Sequence, residues 1–369
     1  MVTSPAKIRL REVREHRPPT LGPESLGIAL TNACNLNCIT CWTYSALRAE
    51  RPSAEWMRRR LSRTLLADLF REAKTLGTER AIFTGGGDPL AHPEAEAILS
   101  DAGDAGLKVT LISNLTLARD PERLAAIGID TLLANFSCGD PESYVAFHPN
   151  RTAADFPRLV SLLARMASGG TKVKLVFVIC SVNADALPKV IDVAGELGAS
   201  IQFKLMSATD DTRSIALTGE RRDALRSEVA ALIERADRRD VSANFDTLIA
   251  ELSGATPTEF PIATTGCYAG HYYARITANA DVFYCCNQFP RLRIGSLQET
   301  SFTQLWHSER WQEIRVRLRE GRFVPGCEQC GKFDLNRKVR RLLEMAEGTS
   351  VPVVPSAHHA NGATGAETG

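Results

Sequence analysis

The sequence predicts an α/β fold: a partial, TIM-like (β/α)6 barrel followed by a small region made of a hairpin and a helix. Between about residues 26 and 206, short β-branched runs alternate with longer segments of helical period, as in repeated βα units around a parallel sheet. Six such units are too few for a closed eight-stranded barrel, so we expect an open one. Polar residues gather at the predicted carboxyl ends of the strands, where barrel enzymes place their chemistry.

The chain is expected to begin with an N-terminal extension, residues 1–25, and to form the barrel over residues 26–255. The six predicted strands are Leu26–Thr31, Glu79–Gly85, Lys108–Asn114, Thr131–Ser137, Lys172–Ile179 and Ser200–Met206. The predicted helices are Glu55–Leu76, Pro93–Ala105, Pro121–Ile127, Ala154–Met166, Ala186–Leu197 and Thr218–Arg238.

Residues 256–346 differ in pattern and are expected to form a second, smaller domain. Residues 271–286 predict a hairpin that turns at Thr277–Ala280, and Phe302–Arg319 predicts an amphipathic helix. Residues 347–369 have almost nothing to bury, so we expect a disordered tail.

Composition argues against several classes of function. The 369 residues carry 44 Lys and Arg against 43 Asp and Glu, and a net charge of +1 does not suit a dedicated nucleic-acid or membrane-surface protein. The basic runs Met57–Arg63 and Arg337–Arg341 are better explained as solvated helix faces than as RNA-binding patches. No segment is apolar over the roughly 18 residues that a membrane helix needs, and the first residues lack the apolar core of a signal peptide. We therefore expect a cytoplasmic protein.

Three of the ten cysteines, Cys34, Cys38 and Cys41, lie in the loop that follows the first predicted strand. In a reducing compartment, grouped cysteines more often hold metal or do redox chemistry than form disulfides. Thiolates at the spacing C-x3-C-x2-C can converge on one face of an iron–sulfur cluster, and three ligands leave one iron of a four-iron cluster open. A structural zinc site would need four ligands, commonly from a second C-x2-C pair nearby, which this region lacks.

This triplet, placed after the first strand of a partial barrel, resembles the CxxxCxxC signature of the radical S-adenosylmethionine (SAM) superfamily. The resemblance implies that Cys34, Cys38 and Cys41 bind a 4Fe-4S cluster whose open iron is chelated by the amino and carboxylate groups of SAM. It also implies reductive cleavage of SAM to a 5′-deoxyadenosyl radical, which removes a hydrogen atom from the substrate. The aromatic residue that usually precedes the third cysteine is Thr40 here, and Trp42 follows that cysteine.

The glycine-rich string after the second strand allows close backbone approach to a ligand. It resembles the GGE motif of the superfamily, which implies a site for the amino group of SAM with an Asp in place of the usual Glu. The residues concerned are Gly85, Gly86, Gly87 and Asp88. The resemblance also implies that polar side chains at later strand ends contact the carboxylate and ribose of SAM, and here these are Asn114, Ser137 and Asn183. Each of these three could instead cap a helix or a turn.

The two-residue period of the sixth strand places Lys204 on the face opposite Phe203, where it would point into the barrel. A buried lysine needs a partner, such as a substrate anion, the SAM carboxylate or an acid. The alternative is a lysine at the barrel mouth that keeps its amine in water.

A second group of cysteines lies near the C-terminus, with Cys267 and Cys285 flanking the predicted hairpin and Cys327 and Cys330 on one short loop. Four thiols complete the coordination of either zinc or a 4Fe-4S cluster. Cys286 competes with Cys285 as a ligand, and we prefer Cys285. The arrangement resembles the twitch domain, a shortened SPASM domain, and its spacing is similar to that of the aminocyclitol dehydrogenases of aminoglycoside biosynthesis. The resemblance implies a second, auxiliary 4Fe-4S cluster.

A fully ligated auxiliary cluster could accept an electron from a substrate radical, so the first expectation is net dehydrogenation of a small polar metabolite such as a sugar, aminocyclitol or nucleoside. An electron donor such as flavodoxin or ferredoxin would reduce the first cluster. The second expectation is a radical epimerase in which Cys180 or Cys286 returns a hydrogen atom, although a lone cysteine is also a common core residue. A peptide-modifying enzyme is the third, disfavoured because the sequence shows no obvious leader-peptide domain. If the protein is not an enzyme, the alternative is a zinc-binding scaffold in which both cysteine groups are structural.

Overall fold

The computed structural model describes residues 4–254, 262–286, 290–327 and 333–346. In these residues one sheet contains the strands β1 (Ser25–Ala29), β2 (Arg80–Thr84), β3 (Lys108–Ser113), β4 (Thr131–Asn135), β5 (Lys172–Ile179), β6 (Ser200–Leu205), β7 (Tyr273–Ile276), β8 (Asp281–Phe283) and β9 (Arg293–Ser296). Their order across the sheet is β6-β5-β4-β3-β2-β1-β7-β8-β9. Strands β1 to β6 pair in parallel with their sequence neighbours. The predicted fold class, an open six-stranded parallel barrel with a C-terminal hairpin region, is confirmed.

Helices connect the parallel strands and cover the outside of the barrel. The described helices are α1 (Pro5–Arg14), α2 (Ala54–Arg58), α3 (Arg63–Thr75), α4 (Ala95–Asp104), α5 (Pro121–Ala126), α6 (Pro141–Phe147), α7 (Asp155–Ser168), α8 (Leu187–Leu197), α9 (Gly219–Arg238), α10 (Phe245–Leu252), α11 (Ile262–Thr265), α12 (Ala269–Tyr272), α13 (Phe302–Trp306), α14 (Glu309–Arg319) and α15 (Phe333–Ala346). Most buried apolar residues of the helices and strands form one large core, and two smaller clusters are separate from it.

The C-terminal hairpin extends the barrel sheet. Strand β7 pairs in parallel with β1, from Ser25 opposite Tyr273 to Ile28 opposite Ile276, and β8 and β9 continue the sheet as antiparallel strands. A Cβ at Gly27 would lie 1.9 Å from the Tyr273 hydroxyl, so a larger residue there would require the Tyr273 side chain to move. A further attachment joins α13 to α3, where the backbone N–H and hydroxyl of Thr303 donate to Glu72 at 2.8 Å.

The N-terminal extension is helical and ties the barrel to the C-terminal region. Helix α1 packs through Val13 against Tyr268, Tyr272 and residues of α15. One helical turn earlier, the buried Arg9 forms a salt bridge of 2.6 Å with Glu79.

Two predicted helices are each wrong as a single element. The predicted helix Glu55–Leu76 is interrupted between α2 and α3, where Leu61 N–H donates to Leu30 carbonyl at 3.1 Å and Ser62 caps α3. The predicted helix Phe302–Arg319 is interrupted between α13 and α14, where the Ser308 side chain accepts from the backbone N–H of Trp311. In both places a serine caps the start of the second helix.

In the described part of the chain, no helix is long and apolar enough to cross a membrane. The predicted tail, residues 347–369, and Cys330 lie outside the described residues. The predicted domain boundaries stay predictions.

We expect Gly87→Ala to destabilise the fold by about 3 kcal/mol or more, since its Cβ would overlap rigid backbone. That Cβ would lie 1.9 Å from the Ala33 carbonyl oxygen. The measurement is urea unfolding of the protein without cofactors. The matched control is Gly103→Ala in α4, whose Cβ would meet no atom within 4 Å. It should be neutral or stabilising by up to about 1 kcal/mol, and equal losses in the two variants would contradict the packing argument.

Candidate active site

The cysteine triplet lies in a loop that is held in place by hydrogen bonds at its start, in its middle and at its end. At the start, Asn32 N–H donates to Arg59 carbonyl at 3.0 Å, and the Tyr44 hydroxyl donates to Asn32 carbonyl. In the middle, Ile39 N–H donates to Phe147 carbonyl at 3.1 Å. The loop therefore follows directly from β1 and is fixed over the carboxyl ends of the strands, where the sequence predicts it.

The three thiols are partly exposed and are surrounded by backbone N–H groups. Leu36 N–H points at the Cys34 sulfur at 3.5 Å, and the N–H groups of Thr43 and Tyr44 point at the Cys41 sulfur at 3.4 and 3.2 Å. Donors of this kind stabilise thiolates and iron–sulfur clusters.

The electrostatics of the loop favour a bound cation. Burial, followed by the charges of Asp88 and Cys41, raises the pKa of Cys34 to about 11, although N–H donors oppose this shift. Burial and the charges of Cys41 and Cys34 also raise the pKa of Cys38. Iron would remove this penalty because it binds the thiolate form.

The donor set and its environment fit a 4Fe-4S cluster. In the described residues, no three Cys, His, Asp or Glu side chains are close enough to share one metal ion. A four-iron cluster makes no such demand, since each thiolate binds a different iron. Partial exposure of all three thiols leaves a solvent-facing side at which SAM can be added.

The glycine string packs against the start of the cysteine loop. A Cβ at Gly85 would lie 2.5 Å from Thr31 carbonyl, and one at Gly86 would lie 2.6 Å from the Asn32 side chain. Asp88 N–H donates to Ala33 carbonyl at 2.8 Å. These glycines therefore bring two backbone segments of the site together, in addition to any contact with SAM.

Asp88 is buried, and its carboxylate is already bonded to the protein. It accepts from Leu90 N–H at 2.9 Å, from Asn114 N–H at 2.7 Å, and from the Ser113 hydroxyl at 2.9 and 3.0 Å. Burial raises its pKa against these donors. In this arrangement Asp88 joins the ends of β2 and β3, and its contact with the SAM amino group stays a prediction.

Asn114 lies against the cysteine loop. Its side-chain amide is 3.9 Å from the Cys34 sulfur and donates to the Asn35 side chain at 3.3 Å, while its oxygen accepts from Thr116 N–H at 2.9 Å. Asn35, whose side chain donates to the Thr116 hydroxyl at 2.8 Å, was not among the predicted site residues. Its position next to a cluster cysteine is the signal that could have found it.

Ser137 and Asn183 shape the ends of β4 and β5. Ser137 has a left-handed backbone, with φ of 42°, and its hydroxyl accepts from Val178 N–H at 3.0 Å. The Asn183 amide donates to the carbonyls of Ser137 and Val178 at 2.9 and 3.0 Å, and its oxygen accepts from Cys180 N–H at 2.9 Å. Both side chains are buried and form hydrogen bonds with backbone groups at the strand ends, as capping residues do. Their contacts with SAM stay predictions.

The three residues predicted for catalysis lie in different environments. Lys204 is exposed rather than buried, because β6 is the outer strand of an open barrel. Cys180 is fully buried against Ile39 and Phe147, with the partly buried Cys38 packed on the same cluster. Cys286 is partly exposed just beyond β8. Their catalytic roles stay predictions.

The second cysteine group is described for three of its four members. Cys267 is buried, and Cys285 and Cys327 are partly buried against the main core. The charges of Cys267 and Cys285 both help to raise the pKa of Tyr284, although burial is the larger cause, so these two thiols lie around one tyrosine. The choice of Cys285 over Cys286 as the ligand stays a prediction.

Comparison with known proteins identifies both halves of this arrangement. Residues 28–194 match the radical SAM superfamily, and residues 267–331 match SPASM, an iron–sulfur cluster-binding domain. The chain thus combines a region that matches the radical SAM superfamily with a C-terminal region that matches the SPASM domain. The predicted cofactors are confirmed at this level: SAM, the 4Fe-4S cluster of the radical SAM domain, and an auxiliary iron–sulfur cluster.

Relatives show how far the likeness extends. The AdoMet-dependent heme synthase of Methanosarcina barkeri is 24% identical over 85% of this chain and 88% of its own length. The PqqA peptide cyclase of Ruegeria pomeroyi is 29% identical over 48% of this chain and 45% of its own length. The crystal structure of Streptococcus suis SuiB bound to its precursor peptide SuiA has a TM-score of 0.58 and 18% identity, covering 84% of this chain and 70% of that one.

We expect Cys34→Ala to lose the first cluster, since two thiolates hold it less well than three. After anaerobic reconstitution, iron should fall from about eight to about four atoms per chain, and SAM cleavage should stop. Cys138→Ala, at a buried cysteine outside both groups, should keep the iron content and SAM cleavage. Unchanged 5′-deoxyadenosine formation by Cys34→Ala would contradict the assignment of this ligand.

Proposed function

We propose that this radical SAM enzyme modifies a peptide, with Cys34, Cys38 and Cys41 holding the first cluster and Cys267, Cys285, Cys327 and Cys330 holding the auxiliary one. The combination of the two domains carries the proposal, together with the 29% identity to a peptide cyclase. SuiB, which shares the fold, was crystallised with a precursor peptide. When bound, the cofactors supply reductive cleavage of SAM, removal of a substrate hydrogen atom, and an acceptor for an electron.

The residues of the barrel mouth position these groups. The side-chain amide of Asn114 donates to the side-chain oxygen of Asn35, which fixes both side chains beside Cys34. The glycine string presents its backbone beside the cysteine loop. The carboxylate of Asp88 fixes the backbone at Asn114, so the edge on which SAM would lie is built from main-chain atoms.

The mouth on the β5 and β6 side offers a surface for a chain-like substrate. Trp42 is 55% exposed and its indole N–H donates to Ser207 carbonyl at 3.3 Å, which joins the cysteine loop to the end of β6. Val182, on the loop after β5, is 41% exposed, and Lys204 is exposed on β6 itself. Exposed apolar side chains and an exposed cation on these strands and loops suit an extended peptide that has apolar and acidic side chains.

A small metabolite is the second candidate. The M. barkeri relative, which aligns over 88% of its own length, is named for heme synthesis rather than for a peptide. Dehydrogenation or epimerisation of a sugar, aminocyclitol or nucleoside would use the same two clusters. An electron donor such as flavodoxin or ferredoxin serves either candidate.

The two candidates are separated by incubating the reconstituted full chain with SAM, a reductant and each short peptide encoded beside its gene. We expect a mass change in one peptide and formation of 5′-deoxyadenosine in step with it. Cys34→Ala is the control. Turnover of a sugar, aminocyclitol or nucleoside, with every peptide left unmodified, would overturn the peptide assignment and support the second candidate.

We expect Trp42→Ala to raise KM for the peptide about tenfold and to change kcat little, because the indole contributes binding area rather than chemistry. Ile249→Ala is the matched control, since Ile249 is 38% exposed but lies on the outer helix α10. It should leave both constants unchanged. Steady-state kinetics measured by peptide mass spectrometry checks this, and an unchanged KM in Trp42→Ala would show that the substrate binds elsewhere.

A further inference from the structure

Arg315 is a buried cation in the SPASM domain whose recorded contacts are with neutral groups. Arg315 belongs to α14 and is only 3% exposed. Nε donates to Gly270 carbonyl at 2.9 Å, and Nη2 donates to Trp306 carbonyl at 3.3 Å. Nη1 lies 3.4 Å from the Gln312 side-chain oxygen. In the described residues, no salt bridge to Arg315 is formed.

The rings around Arg315 complete an environment of low polarity. Its guanidinium carbon is 4.5 Å from the centre of the Trp306 ring and 5.5 Å from that of Trp311. Burial lowers the pKa of Arg315 to about 10, which leaves it charged at neutral pH. The buried carboxylate of Glu12 acts on Arg315 through its charge but forms no salt bridge with it, and one of its oxygens accepts from Thr20 N–H.

The other buried arginine of the chain shows what is unusual here. Arg9 is 1% exposed and pairs with Glu79 at 2.6 Å. Fully buried arginines are rare without such a partner, because an uncompensated charge is costly in the interior. The charge of Arg315 therefore calls for an anion that is not one of the side chains it contacts.

Arg315 is hydrogen-bonded to the chain segment that follows Cys267. Gly270, which accepts its Nε hydrogen bond, is in the same short segment as Cys267. Tyr284, which immediately precedes Cys285, packs so closely on Gly270 that a Cβ there would lie 2.1 Å from the ring. The Tyr284 and Trp311 rings are 6.0 Å apart.

The neighbouring titratable groups add no second positive charge in the interior. His271 is buried beside Arg315, and burial together with the charges of Arg315 and Arg319 lowers its pKa to about 3. It is therefore neutral at neutral pH. Tyr284 also stays neutral, since burial raises its pKa.

A 4Fe-4S cluster with four thiolate ligands is an anion, and reduction adds one more negative charge. A fixed cation in a medium of low dielectric stabilises the reduced form more than the oxidised form. We propose that Arg315 is the counter-cation of the auxiliary cluster and raises its reduction potential. It is a positioning residue, because it acts on the cluster through charge and not through contact with substrate. The proposal does not depend on whether the substrate is a peptide or a metabolite.

The test uses the full chain with Cys34, Cys38 and Cys41 replaced by alanine, so that only the auxiliary cluster is reconstituted. Arg315→Gln keeps a hydrogen-bond donor for the carbonyls and removes the charge, whereas Arg315→Lys keeps the charge. In a redox titration followed by electron paramagnetic resonance, we expect Arg315→Gln to shift the midpoint potential downwards and Arg315→Lys to stay near the parent. An unchanged potential in Arg315→Gln, or equal shifts in both variants, would overturn the proposal.

A second variant covers the case in which Arg315→Gln does not fold. Gln312→Glu has nearly the same shape and places a carboxylate beside Nη1, which neutralises Arg315 and keeps its hydrogen bonds. It should also lower the potential, and an unchanged potential would count against the proposal. Arg9→Gln is the matched control at a buried arginine of the barrel: it should weaken the fold and leave the potential unchanged.

Discussion

The two hydrogen-bonded edges of β1 are the constraint on which the rest of the structure depends. One edge pairs with β2, whose carboxyl end carries the glycine string, and the other pairs with β7, which begins the C-terminal hairpin. The cysteine loop leaves the end of the same strand. This strand of five residues thus places the cysteine loop between the glycine string on one side and the region with the auxiliary cysteines on the other. Backbone pairing of this kind has little freedom, so the spacing of the two sites is set by the sheet and not by a linker.

Around the first site, side chains mainly fix the backbone. The side chains of Asp88 and Asn183 form hydrogen bonds with backbone groups at the ends of neighbouring strands, and Asp88 also accepts from the Ser113 hydroxyl. Ser137 is held in a left-handed conformation by the same network. A ligand that binds here would meet carbonyls and N–H groups whose directions are already fixed, which reduces the entropy that binding must overcome.

The elements that the sequence predicts well are those with a local cause. The six parallel strands follow from β-branched runs, and the helix at Gly219–Arg238 follows from its period and its Thr218 cap. The break after α2 has one local signal, the Ser62 cap of α3, but it also depends on the pairing of Leu61 with Leu30, which are distant in sequence. The same holds at the site. Spacing alone singles out the cysteines. In contrast, the hydrogen bonding of Asp88 to the protein depends on which strand ends meet, and the exposure of Lys204 depends on where the barrel opens.

The two cysteine groups lie in environments that suit different tasks. The first group is partly exposed at the barrel mouth, surrounded by backbone donors, and has one ligand position left for SAM. Of the described members of the second group, Cys267 is buried, whereas Cys285 and Cys327 are partly exposed like the first group and pack against the main core. An exposed cluster can exchange its ligand, but its potential is sensitive to solvent. A cluster with four thiolate ligands has no open position for an exchangeable ligand, and its potential can be set by fixed charges such as Arg315, which is what an electron acceptor inside the protein requires.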